Sequence, residues 1–124
     1  MMTFAYGMIL AAALLPYLTV ALAKLPGGID NRAPRRDMEA LDGWRRRADW
    51  AHRNHFEAFA PFAAAVIVSG LAQAAPGRIN VLAAAFVLAR VAYTAAYVAD
   101  RATLRSLFWA VGFGAVISLF VLAL

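Results

Sequence analysis

Cysteine is absent from the 124 residues. That excludes disulfides, thiol nucleophiles on the protein and thiolate metal sites, and it leaves the redox compartment undetermined. Charge is scarce as well, at 15% of residues, where a soluble domain carries about a quarter. Acidic side chains are scarcest of all beyond Trp50, where Glu57 is the only one before Asp100. No polar block is long enough for a separate soluble domain. What fills the chain is apolar, 64% of residues with a mean hydropathy of +0.67. These values describe an integral membrane protein of one domain, residues 1–124.

The net charge of +5 would suggest a nucleic-acid partner in a soluble protein. Here the basic residues gather in one loop, so they are read as setting membrane topology, and no nucleic acid is expected.

Four apolar segments organise the chain. Residues 4–23 form a run of about 20 residues, enough at ~1.5 Å per residue to cross a hydrocarbon core of roughly 30 Å. Ala21-Leu22-Ala23 has the form of a cleavage site. No basic residue precedes the run, however, and it exceeds a signal core of about 7 to 15 residues, so the segment is expected to stay as a span. Pro16 inside it is tolerable where neighbouring helices satisfy the freed carbonyl. Residues 48–74, 80–99 and 103–124 complete the expected helices, with Ala75-Pro76-Gly77 breaking the second. The expected fold is all-α, an integral membrane four-helix bundle. The connection 24–47 is polar, with turn chemistry at Pro26-Gly27-Gly28 and Asn31 to Pro34, and from about Asp37 it is expected to turn helical and lead straight into the second span.

That connection carries Lys24, Arg32, Arg35, Arg36, Arg45, Arg46 and Arg47, the second only Arg78, and the third Arg101 with Arg105 beside it. The positive-inside rule then puts the first and third connections in the cytoplasm and both termini outside.

Most of the polar chemistry lies between Arg45 and Pro61, at the mouth of the second helix. Arg90 sits in mid-span on the third helix, where an arginine costs from about 2.5 kcal/mol upward, so it needs a partner. Glu57 is the natural candidate, and an Arg90–Glu57 pair between the two helices is expected. Asn54, Glu57 and Pro61 share one helical face, as do Arg90, Tyr93 and Tyr97. Together they are expected to line a cleft open to the cytoplasm. The competing reading is that the pair merely holds the bundle together and the tyrosines form an interfacial belt. His52 and His55, near Asp49 and Glu57, suggest metal ligation, but carboxylate-bridged metal bundles need the motif from two helices and no second copy exists. They are read as histidines at the headgroup boundary, with no metal. Small residues at helical spacing, Ala85 and Ala89, Ala92 and Ala96, Gly114 and Ser118, would permit close helix contacts.

The stretch R-A-D-W-A-H-R-N-H-F-E-A-F-A-P, the later R-V-A-Y-T-A-A-Y and the pair Leu104-Arg105 resemble the membrane-associated proteins in eicosanoid and glutathione metabolism, the MAPEG family. N-R-A-P-R at Asn31 to Arg35 looks like its bacterial branch, which points to an inner membrane. The resemblance implies a homotrimer of four-span protomers with glutathione as co-substrate in a cleft between subunits, and a lipophilic substrate arriving from the membrane lipid. By motif, Asn54 and Glu57 match the family's Asn-x-x-Glu. Arg90, Tyr93 and Tyr97 match its Arg-x-x-Tyr-x-x-x-Tyr, and Arg105 resembles the arginine that stabilises the glutathione thiolate. Where the family has an arginine four residues before the asparagine, this chain has Trp50, and Arg47 one turn earlier is the candidate replacement. The aromatic often found after the glutamate is Ala58, and the spacing from Tyr97 to Arg105 is one residue longer. The implied activity is that of a glutathione-dependent transferase or peroxidase. A non-catalytic lipid-binding or scaffold member is the alternative, and a small multidrug exporter using Glu57 is a further one.

Overall fold

The computed structural model describes residues 2–124. Five helices follow one another: α1 (Thr3–Lys24), α2 (Pro34–Glu39), α3 (Gly43–Leu71), α4 (Pro76–Val98) and α5 (Ala102–Leu122). No strand occurs among the described residues. α1, α4 and α5 are each long and apolar enough to cross a membrane. α3 is the longest helix, at 29 residues, yet it is not among these three. Its first half carries the arginines, Asp49 and both histidines, so the expected second span is the one that apolarity alone does not carry.

Helix boundaries differ from expectation where proline and glycine act. Pro76 stands in the first turn of α4, where its missing N–H is harmless and its fixed φ suits a helix. α4 therefore starts four residues before the expected Asn80. α2 is a separate short helix, also opened by proline, Pro34. It does not lead straight into the span, because Ala40 to Asp42 breaks it and Gly43 at φ +55° redirects the chain. α3 and α4 end alike. Gln73 and Asp100 take positive φ, +56° and +59°. The N–H groups of Ala74 and Arg101 reach back to the carbonyls of Ser69 and Ala96, closing each helix end in a Schellman motif.

α1 packs along α3, α5 packs along α4, and α3 touches both α4 and α5. The core gathers Ala5, Ala12, Phe62, Val66, Ile79, Phe86, Val116 and Leu119. Its centre is the stacked pair Phe62 and Phe86, with ring centroids 3.9 Å apart. Alanines let the backbones approach, and even a Cβ on Gly112 would meet the Ala89 side chain at an ordinary contact distance of 3.8 Å. Gly114 and Ser118, by contrast, are exposed within the protomer.

The polar end is tied by the arginine triplet. Arg45 donates to the carbonyls of Ala23 at 2.8 Å and Gly27 at 2.7 Å. Arg46 donates to Met38 O at 3.2 Å. Arg47 donates twice to Val98 O, at 3.2 and 3.1 Å. Successive helical residues point about 100° apart, so three neighbours in sequence reach the C-terminal ends of α1, α2 and α4. Each supplies a cation where the helix dipole and the carbonyls of a helix end favour one.

Candidate functional site

α3 and α4 bring their polar faces together one to two turns in from the tied end. Arg90 is 2% exposed. Its Nη2 donates to Asn54 Oδ1 at 2.8 Å, and its Nε donates to His55 Nδ1 at 3.2 Å. A guanidinium can only donate, so His55 accepts at Nδ1 and carries its proton on Nε2. That Nε2 lies 2.8 Å from Thr94 Oγ1, which in turn donates to Arg90 O at 3.0 Å. The ring of bonds is closed, from Arg90 through His55 and Thr94 back to the backbone of Arg90. It fixes the imidazole in its neutral form and orients the guanidinium.

The expected direct Arg90–Glu57 ion pair is not made. The arginine–carboxylate ion pairs among the described residues are Arg36–Asp37 and Arg53–Asp49, and His52 Nδ1 lies 3.5 Å from Asp49, an ion pair only when the ring is protonated. Asn54 stands between the two charges instead, its Nδ2 donating to Glu57 Oε2 at 2.9 Å while its Oδ1 receives Arg90. An amide serves here because it offers an acceptor to one side and a donor to the other. Glu57 stays exposed, whereas a direct pair would have drawn its carboxylate into the apolar interior.

The tyrosines extend the arrangement toward the tied end. The Arg90 guanidinium lies 4.2 Å from the Tyr93 ring centre, Tyr93 meets Tyr97 edge-on at 5.5 Å, and the Arg105 guanidinium lies 4.6 Å over Tyr97. Trp50 occupies the rim, 6.2 Å from Tyr97 and under Arg46 at 5.6 Å. Trp50, Arg53, Asn54, Glu57, Tyr93 and Tyr97 wall a hollow of about 480 Å³. Arg105 lines a smaller neighbouring one of about 80 Å³ that shares Trp50 and Tyr97.

Asn54, Glu57, Tyr93 and Tyr97 thus converge on one hollow, with Arg90 beneath it and Arg105 beside it. Arg47 stands apart from the first hollow and borders the second, its guanidinium bound to Val98 O. Sequence reading missed His55 and Thr94. His55 is not a headgroup-boundary histidine but is 3% exposed and holds Arg90. The available signal was its spacing, since a residue next to Asn54 on a helix facing Arg90 can share that cation. Among the described residues no group of three His, Asp or Glu side chains gathers as a metal ion would require.

Asp37 in α2 lies outside the spans. Its carboxyl is held below the usual carboxylate range, first by the Asp30 N–H and then by Arg36. The Asp30 N–H lies 2.7 Å from its Oδ2, which pins the long connection.

No curated protein and no solved structure matches the chain. The profile of the MAPEG family matches residues 3–124, nearly the whole length. Together with three helices long and apolar enough to cross a membrane, this match supports an integral membrane protein, and the chain belongs to the MAPEG family.

Proposed function

We propose that this protein is a membrane-bound glutathione-dependent transferase or peroxidase acting on a lipophilic electrophile. The observation that carries the reading is the hollow walled by Trp50, Arg53, Asn54, Glu57, Tyr93 and Tyr97 with Arg105 across the Tyr97 ring. The donor set suits a small thiol peptide. Arg53, half exposed on the rim with its Nη2 against Asp49, offers its remaining donors to a carboxylate. Glu57 offers a carboxylate to an ammonium, and Asn54 and the tyrosine hydroxyls suit peptide groups. Bound there, glutathione supplies the thiol nucleophile. A free thiol with a pKa of about 8.5 is mostly protonated at neutral pH, and the Arg105 cation beside it favours the thiolate without exchanging a proton.

Family membership supports a homotrimer of four-span protomers with the hollow lying between subunits, the basic residues of the first and third connections support the tied end facing the cytoplasm, and N-R-A-P-R at Asn31 to Arg35 supports a bacterial inner membrane. The expected result is that millimolar glutathione raises the melting temperature of the detergent-solubilised protein, more than its oxidised form or other small thiols do. An unchanged melting temperature would sink the proposal. One observation favours a non-catalytic lipid-binding member instead. An apolar groove of about 380 Å³ runs between α1 and α4, lined by Leu15, Thr19, Leu22, Val91 and Val98 among others. That reading expects copurified lipid and no conjugation of standard electrophiles.

A further inference from the structure

A second group of charges lies on α3, turned toward α1 and α2 rather than toward Arg90. Asp49, His52 and Arg53 border a cleft of about 550 Å³ at the tied end. Asp49 is 2% exposed although it carries a carboxylate. Arg53 Nη2 lies 3.1 Å from its Oδ2, and His52 Nδ1 lies 3.5 Å from its Oδ1. Neither contact makes a hydrogen bond, so Asp49 Oδ2 and His52 Nδ1 are buried without a hydrogen-bond partner. A carboxylate oxygen accepts more than one donor. Left unsatisfied at this depth it is costly, and a ligand hydroxyl that reaches it removes the cost.

The rim of the cleft is basic and its far end is aromatic. Lys24 closes α1 and Arg35 stands in the first turn of α2. Both border the cleft and both are exposed, and neither is engaged in an ion pair among the described residues. With Asp49 offset by Arg53 and the His52 ring neutral, Lys24 and Arg35 against Glu39 leave one surplus positive charge. Tyr17 precedes Lys24 by seven residues, about two turns or ~10 Å deeper along α1. It meets Phe56 edge-on at 5.7 Å, and both rings border the cleft and are exposed on the outer face. The cleft therefore grades from free cations at the polar end to apolar rings at bilayer depth.

That gradient selects among ligands. Free phosphate would engage Lys24 and Arg35 and leave the rings bare. A headgroup ending in a quaternary ammonium has no net charge to match the surplus and no donor for Asp49. A primary ammonium would reach Asp49 beside the Arg53 cation, where like charge opposes it. A singly charged phosphodiester that carries hydroxyls and acyl chains meets each demand. We propose that this cleft binds an anionic phospholipid with a hydroxyl-bearing headgroup, its phosphate between Lys24 and Arg35, a hydroxyl donating to Asp49 Oδ2, and its chains along Tyr17 and Phe56. Basic pockets between membrane helices at the cytoplasmic side hold anionic headgroups in this way. The assignment stands apart from what occupies the hollow beside Arg105.

Native mass spectrometry of the solubilised protein, titrated with phosphatidylglycerol, phosphatidylmethanol and phosphatidylcholine of identical chains, tests this. Phosphatidylglycerol is expected to bind about tenfold more tightly than phosphatidylcholine. It is expected to bind about threefold more tightly than phosphatidylmethanol, which has the same charge and no hydroxyl. Replacing the two exposed cations together, Lys24→Gln with Arg35→Gln, is expected to bring its affinity down to that of phosphatidylcholine. Asp49→Ala is expected to remove only the preference over phosphatidylmethanol. Should circular dichroism show that this variant does not fold, the comparison of the two lipids on the wild type decides the hydroxyl contact by itself. Soluble glycerophosphoglycerol at millimolar concentration is expected to leave the lipid in place. Equal binding of the three lipids, the result if a second copy of the chain covers the cleft, overturns the proposal. So does phosphatidylmethanol as tight as phosphatidylglycerol, an unchanged affinity in the double variant, or displacement by the soluble headgroup, which would make the ligand a free phosphodiester.

Discussion

Two sets of arginines divide the protein. Arg45, Arg46 and Arg47 bind backbone carbonyls at the ends of three helices. Arg90 and Arg105 each lie against a tyrosine face, 4.2 Å and 4.6 Å from the ring centres. A helix-end carbonyl is a permanent partner, available in every copy of the fold, so the first set contributes to stability. A ring face attracts a cation but accepts few of its protons, so Arg105 retains capacity for a ligand, while Arg90 also spends donors on Asn54 and His55 and holds the site's geometry. The same residue type therefore does two jobs, and its partner indicates which.

The sharpest test of that division is Arg105→Ala. It is expected to remove any thiolate absorbance of bound glutathione and to lower conjugation by about 100-fold or more, while the melting temperature without ligand changes little. A lowered melting temperature with turnover intact would move Arg105 into the structural set. Arg47→Ala should show the opposite pattern. Losing a charged donor at the α4 end is expected to cost about 1.5 to 3 kcal/mol in reversible denaturation, with the added stabilisation by glutathione preserved. Loss of that stabilisation at an unchanged melting temperature would break the comparison from the other side.

His55 sharpens the second set. His55→Leu leaves Arg90 Nε without its acceptor and is expected to cost about 1 to 3 kcal/mol. His55→Asn restores an acceptor near Nδ1 and is expected to recover part of that loss. Equal destabilisation by both substitutions would show that the imidazole acts through packing alone. The smallest effect belongs to Asp37. Its lowered pKa means that its contribution is present at neutral pH and is lost as pH falls below the usual carboxylate range. Asp37→Asn is therefore expected to reduce stability slightly at pH 7, with the difference from wild type vanishing in acid. A difference that persists at low pH would assign the contribution to something other than charge.

The sequence made α1, α4 and α5 legible because their apolar runs are long and, but for Arg90 in α4, almost free of charge. α2 was not legible as a separate helix, since six residues carry no periodicity and Gly43's positive φ is a backbone property. Within the site, Asn54, Glu57, Arg90, Tyr93 and Tyr97 could be grouped from face and motif. Asn54 as the bridge between Arg90 and Glu57 could not, because charge complementarity alone points to a direct pair. The carbonyl partners of Arg45 to Arg47 were equally hidden, for every residue offers the same backbone oxygen. Reading those arginines as topological was a statement about charge, whereas their role in the fold depends on direction.

That directional role reaches the site. The triplet grips α3 on three sides at once, so the helix cannot turn about its own axis without releasing several bonds together. A slip of one residue would swing every side chain by about 100° and carry Asn54 away from Arg90. Asn54 is seven residues beyond Arg47, roughly two turns along the same rod. The triplet therefore acts as an angular stop, setting the azimuth at which α3 presents its amide to a cation on another helix.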